Sequence, residues 1–322
     1  MLIIDKANKK SVREAFGKAL VEVGKANEDI VVLDADLACS TQTAIFAKEF
    51  PERFYNVGIA EQNLITTAAG LAAVGKIPFA AAFAVFATGR CYDQIRNTVC
   101  YSGFNVKIVG THGGITVGED GATHQALEDV SLMANLPNMT VIVPSDRHEI
   151  TEVIKFASKY DGPMYIRIPR TNLPDVFDEN YKFDFKKAQI LKEGSDITIV
   201  TNGEMLQEVI GALQAIEGAG ISAEIINAPV VKPFDIDTVI NSARKTNLVI
   251  TVENHSIKGG IGSIICEKLS GVMPTRVIRL GIDNEFGQSG TSNKLLEHYG
   301  LDSKGIAEKI IEIKNDSIKS SN

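Results

Sequence analysis

"VKIVGTHGGITVGEDGATHQ", residues 106–125, decides the fold. Its first five residues are an apolar, β-branched run, which reads as a buried strand. The next fourteen, 111–124, hold four glycines, two histidines and two acidic residues. Glycine costs backbone entropy on folding, so a loop this rich in it needs a compensating role. A buried strand that opens straight into such a loop fits an open parallel sheet, where ligands sit at the carboxyl ends of the strands.

Outward from this loop, the same alternation continues in both directions. "DIVVLDADL", "MTVIVPSD" and "PMYIRIPR" read as buried strands. "SVREAFGKALVEVGKA", "AEQNLITTAAGLAAVG", "GRCYDQIRNTVCYSG" and "DRHEITEVIKFASKY" read as helices. Strands alternating with helices imply a parallel sheet covered on both faces. The pattern pauses over the charged stretch 177–196 and then resumes. "ITIVTNG", "SAEIINAP", "LVITVEN" and "TRVIRLG" are the strands of a second unit, with helices at "MLQEVIGALQAIEGAG" and near "GIAEKIIEIKN". The expected class is α/β in two domains, residues 1–185 and 190–322, each a mainly parallel sheet flanked by helices. "DADLACS", the glycine-rich loop and "PRTNLP" all follow strands, and so should line one ligand site.

Composition narrows the function classes. The chain has 322 residues and a net charge of −7. It shows no Lys/Arg cluster of the kind that contacts nucleic acid, and its acidity disfavours anionic membranes. Its longest apolar run, residues 77–87, is too short for a membrane span of about 20 residues. The four cysteines have no CxxC spacing and read as reduced thiols, which places the chain in the cytoplasm. No Walker loop, GxGxxG, HExxH or GxSxG motif occurs. His112 and His124 lack the company expected of a metal site.

Glu61 opens an otherwise apolar, small-residue helix, where a carboxylate favours the helix dipole. Phe83 and Phe86 follow in "FAAAFAVFATGR" and offer a flat aromatic surface, which suits a planar ligand but by itself fits a core better.

Taken together and in order, "GIAEQN", "FAVF", "THGGITVGEDGATHQ" and "PRTNLP" resemble the pyrimidine-binding half of transketolase. The second unit resembles that family's C-terminal domain. The resemblance implies a thiamine-diphosphate-binding fold and the C-terminal subunit of a split enzyme. It places Glu61 where a glutamate hydrogen-bonds the aminopyrimidine N1′ of thiamine diphosphate and promotes its imino tautomer. Phe83 and Phe86 fall where aromatics line the pyrimidine pocket. His112 and His124 correspond to histidines facing the sugar, and Asp120 to a residue bonding a donor hydroxyl. Arg13, Ser40 and Arg170, with His112 nearby, correspond to positions that grip a substrate phosphate. On this reading the glycines let the backbone approach cofactor and sugar closely. His148, His255 and His298 have no assigned catalytic role, and neither does "VENHSIKGGIGS".

Two features depart from the family. Gly89 stands where it often carries tyrosine, and "THGGIT" replaces the usual "THDSIG". The GDG…N motif that holds Mg²⁺ and the diphosphate in full transketolases is absent. The resemblance therefore implies an N-terminal partner subunit supplying that half, in an α2β2 assembly with a homodimer core acting on sugar phosphates. Its closest alternatives are a 1-deoxyxylulose-5-phosphate-synthase-like subunit, to which "VKPFD" and "QSGT" are similar, and a 2-oxoacid dehydrogenase E1 β-like subunit. A non-catalytic α/β binding or regulatory subunit is the alternative from outside the enzymes.

Overall fold

The computed structural model describes residues 4–319. Residues 1–3 of the first expected unit and 320–322 of the second lie outside the described residues. Two large sheets form the framework. The first has seven strands in the order Val230–Lys232, Thr140–Ile142, Met164–Ile168, Lys107–Thr111, Ile77–Phe83, Ile30–Asp34 and Phe54–Asn56. Every pairing in it is parallel except that of Val230–Lys232 with Thr140–Ile142. The second sheet runs Arg276–Ile282, Leu248–Ser256, Ile197–Thr201, Ala223–Asn227 and Gln189–Lys192. Only its Gln189–Lys192 edge is antiparallel. The mainly parallel α/β class is observed in both.

The strands read from sequence are present, and others join them. The alanine-rich run Ile77–Phe83 is a central strand. Its alanines 80–82 are fully buried beneath helices on both faces, so the small side chains are fitted to close packing, which weak β propensity conceals. A second addition is topological. Val230–Lys232 leaves the second unit and caps the first sheet, with Val143 N donating to Pro229 O at 2.8 Å. One apolar cluster accordingly runs from Leu33 and Val141 of the first unit to Val200 and Ile265 of the second.

The helices follow their apolar periodicity. Val12–Ala26 is capped by Ser11, which accepts from Glu14 N, and buries Phe16, Leu20 and Val23. Arg147–Ala157 is capped by Asp146 in the same way. Glu61–Ala73 has no side-chain cap, and Glu61 occupies its first turn. The helix expected over 89–103 is irregular. It comprises π turns at Phe86–Arg90 and Ile95–Cys100 around a short α segment, Tyr92–Gln94. Such π turns are frequent at functional sites.

The sheet order places the site. Met164–Ile168, Lys107–Thr111, Ile77–Phe83 and Ile30–Asp34 are consecutive parallel neighbours. Phe83 pairs with Thr111, and Thr111 with Ile168. Their carboxyl ends therefore lie side by side.

Candidate active site

Four loops leave this row of strand ends. After Ile30–Asp34, the buried carboxylate of Asp34 folds the chain back on itself. It accepts from Leu37 N, Thr41 Oγ1 and Thr43 Oγ1. This fold turns the Ser40 carbonyl toward Arg13, whose Nη1 donates to it at 2.5 Å. The contact uses the Ser40 backbone rather than its hydroxyl. Arg13 Nε is buried and has no hydrogen-bond partner among the described residues.

Phe83 ends its strand, and Phe86 opens the π turn. Their rings are stacked, with centroids 6.2 Å apart and an 18° interplanar angle. His112 lies against Phe83 at 3.9 Å. His124 presents its edge to Phe86 at 5.3 Å and to Phe83 at 6.4 Å. Two aromatics and two imidazoles thus form one wall. His112 has a φ of +60°, a conformation that few residues with a side chain adopt. Burial, and secondarily the neighbouring Arg13, Arg170 and His124, push its pKa down to about 3. The ring is therefore neutral at physiological pH.

Glu61 is only 3% exposed, and its Oε2 pairs with Arg90 Nη1 at 2.8 Å. The Arg90 guanidinium also covers the Phe86 ring at 4.6 Å. Sequence reading missed Arg90. The signal was a lone cation closing the apolar run that carries Phe83 and Phe86. Gly89 beside it is exposed, and a Cβ there would meet nothing within 4 Å.

Arg170 follows Met164–Ile168. Its Nη1 donates to the Val117 carbonyl and to Glu119 Oε2. Burial lowers the pKa of Arg13, with a further contribution from the charge of Arg170. Asp120 ends the 3₁₀ segment Ile115–Asp120 and is exposed.

The loop's glycines answer to the protein's own side chains. A Cβ on Gly113 would lie 2.4 Å from Arg167 Nε, and one on Gly114 (φ +80°) would lie 2.3 Å from Asn254. The close approach expected toward cofactor and sugar is, at these two positions, an approach to buried polar groups. Arg167 donates to Asp129 Oδ2 at 2.8 Å and to the carbonyls of Ala126 and Asn254. Tyr165 donates to the same Asp129 oxygen. Asn254 accepts from Ile115 N and donates to Glu204.

"VENHSIKGGIGS" therefore belongs to the underside of the loop. His255 is buried, accepts from Ser131 N, and is held down to about 4 chiefly by burial. His148 sits near Asp175, and His298 is exposed against Tyr299. Among the described residues no group of three or more His, Cys, Asp or Glu is placed to hold a metal ion. Nor is any helix among them long and apolar enough to cross a membrane.

Comparison with known proteins identifies both units. Residues 8–176 match "Transketolase, pyrimidine binding domain", and residues 186–306 match "Transketolase, C-terminal domain". This chain belongs to the transketolase family. A split-gene transketolase, solved as an inactive β4 tetramer, is 48% identical with a TM-score of 0.85; the match covers 94% of this chain and 99% of that one. A protein of Methanocaldococcus jannaschii, named as a transketolase C-terminal section, is 47% identical over 94% of this chain and 96% of its own length. A subunit of a 6-deoxy-6-sulfo-D-fructose transketolase from Clostridium sp. is 41% identical over 94% of this chain and 95% of its own. 1-Deoxy-D-xylulose-5-phosphate synthases also match, and this chain spans about half their length.

Proposed function

We propose that this chain is the C-terminal subunit of a split transketolase. It transfers a two-carbon ketol unit from a ketose phosphate to an aldose phosphate and works only with an N-terminal subunit. Family membership implies dependence on thiamine diphosphate. The observation that carries the reading is the gathering, around four adjacent strand ends, of a buried carboxylate and an arginine from neighbouring helix starts with an aromatic–imidazole wall and a second arginine.

The residues present fit that cofactor. Phe83 and Phe86 offer a planar apolar surface, and Glu61 lies with the Arg90 ion pair at its edge. When bound, thiamine diphosphate supplies the carbanion stabilisation that ketol transfer needs. Glu61 would hold the pyrimidine N1′ by a hydrogen bond. His112, neutral, and His124 would bond substrate hydroxyls and move protons at them. Asp120 would bond a donor hydroxyl. Arg13, Arg170 and the Ser40 loop would take the phosphate, since a guanidinium matches its oxygens in bidentate fashion. The relative acting on a sulfonated sugar is consistent with an anion pocket at this place.

Mg²⁺ and the diphosphate would be held by the partner, in an α2β2 cytoplasmic assembly built on a homodimer core. The inactive β4 state of the split-gene relative supports partner dependence. Division of the chain at 185/190 is part of the same proposal.

Reconstitution with the N-terminal subunit, thiamine diphosphate and Mg²⁺ tests it. Xylulose 5-phosphate plus ribose 5-phosphate should turn over. Turnover of pyruvate plus glyceraldehyde 3-phosphate instead would favour the synthase-like alternative.

A further inference from the structure

Glu204 belongs to the second unit, yet its contacts are with both substrate-facing loops of the first. It is 6% exposed and precedes helix Met205–Gly218. Its Oε1 accepts from Thr116 Oγ1 at 2.7 Å and from Asn254 Nδ2 at 2.5 Å. Its Oε2 accepts from Thr171 Oγ1 at 2.9 Å. Thr116 lies four residues beyond His112 in the glycine-rich loop, and Thr171 is the neighbour of Arg170. The same carboxylate therefore bridges the segment that carries the imidazoles and the segment that carries a phosphate-facing arginine. Asn254 reinforces one side by accepting from Ile115 N, and Ser292 Oγ donates to the Thr116 carbonyl at 2.9 Å.

We infer that Glu204 is a positioning residue that fixes the separation of Arg170 from the His112 loop, and so sets selectivity for a substrate with an anionic end. This inference rests on the proposed sugar-phosphate reading for its substrate, but its geometry stands without it. A buried carboxylate with three donors is an obligatory acceptor. Its removal takes a partner from two threonine hydroxyls and an amide and breaks the carboxylate bridge between the two loops, leaving the Thr116 side its Asn254 and Ser292 contacts. Glutamine keeps the bridge, because its carbonyl can take Oε1's two donors and its amide can donate to Thr171 Oγ1.

Two readouts test the role. The first is hydrogen–deuterium exchange in the purified full chain, which needs no substrate. Glu204→Ala should speed exchange in residues 111–127 and 169–174 together, and Glu204→Gln should leave both near wild type. The second uses the reconstituted assembly with ribose 5-phosphate and with ribose as acceptors. In Glu204→Ala the KM for the phosphorylated acceptor should rise about tenfold, as small misplacements of a binding group do, while that for ribose changes little. Thr171→Val, a milder change, should give a smaller shift of the same kind.

Unchanged exchange in Glu204→Ala, equal losses with both acceptors, or a Glu204→Gln that behaves like Glu204→Ala would overturn the inference. If wild type shows no preference for the phosphorylated acceptor, the sugar-phosphate reading fails. Exchange then decides the positioning role by itself.

Discussion

Three arginines near the glycine-rich loop are treated in two ways. Arg167, below the loop, gives its Nε and Nη2 to the Asp129 carboxylate and to two carbonyls. Arg13, above it, has one backbone carbonyl and a buried Nε without a partner among the described residues. Arg170 lies partly exposed beside it, with a carbonyl and the exposed Glu119 for company. A guanidinium whose donors are used up by a buried carboxylate is scaffold. Arg13 and Arg170 lie near enough for their charges to repel, and in the proposed site a bound phosphate would relieve that repulsion. Local destabilisation of this kind is what a binding site accepts in exchange for affinity.

The largest effect expected above the loop is at Glu61. In the reconstituted enzyme Glu61→Ala should lower kcat by about 10²–10⁴-fold, the range for a lost proton-handling group, while the assembly still forms by gel filtration. Near-normal turnover would favour a non-catalytic subunit.

Below the loop the largest effect is on stability. Asp129→Ala strands the buried Arg167 charge and should cost about 3–5 kcal/mol in denaturant unfolding of the chain. A loss under 1 kcal/mol would erase the distinction between the two regions.

Arg13→Leu reverses that pattern. It should leave unfolding stability within about 0.5 kcal/mol of wild type or raise it. It should also raise KM for phosphorylated substrates roughly tenfold to a hundredfold, the worth of one charge-assisted hydrogen bond. Loss of stability with intact KM would make Arg13 scaffold.

The remaining effect is in the pH profile. Folding lowers the His112 pKa from its ordinary value to about 3. Between about 6.5 and 3 the unfolded chain binds a proton there and the folded chain does not, so this residue's share of stability falls as pH falls. His112→Asn should flatten that acid limb by up to ~1.4 kcal/mol per pH unit. An unchanged slope would mean that the imidazole is not held neutral.

Much of this was legible in the sequence. β-Branched runs such as "VKIVG" and "MYIRI" showed the strands because burial on both faces leaves a continuous apolar signature. Glu61, Phe83, Phe86, His112, His124, Arg13 and Arg170 were nominated by resemblance, and the fold gathers them around one row of strand ends, Glu61 and Arg13 from helix starts beside it. Ile77–Phe83 was not read as a strand, since alanine is a poor β former and only close packing favours it there. Arg90, Glu204 and Asn254 escaped because their partners are 29, 88 and 139 positions away. For Glu204 and Asn254 no local pattern marks a contact of that range, and for Arg90 the one local sign was its place at the end of the apolar run. The role of Gly113 and Gly114 was misjudged for the same reason, as Arg167 and Asn254 reach them only in three dimensions.

The central claim is that these strand ends form half of a thiamine diphosphate site, completed by another polypeptide. Its most direct test is to titrate thiamine diphosphate with Mg²⁺ into this chain alone, into the N-terminal subunit alone and into their mixture, following heat of binding and ketol transfer. The account predicts turnover only in the mixture, lost again with Glu61→Ala. Full turnover by this chain alone would contradict it.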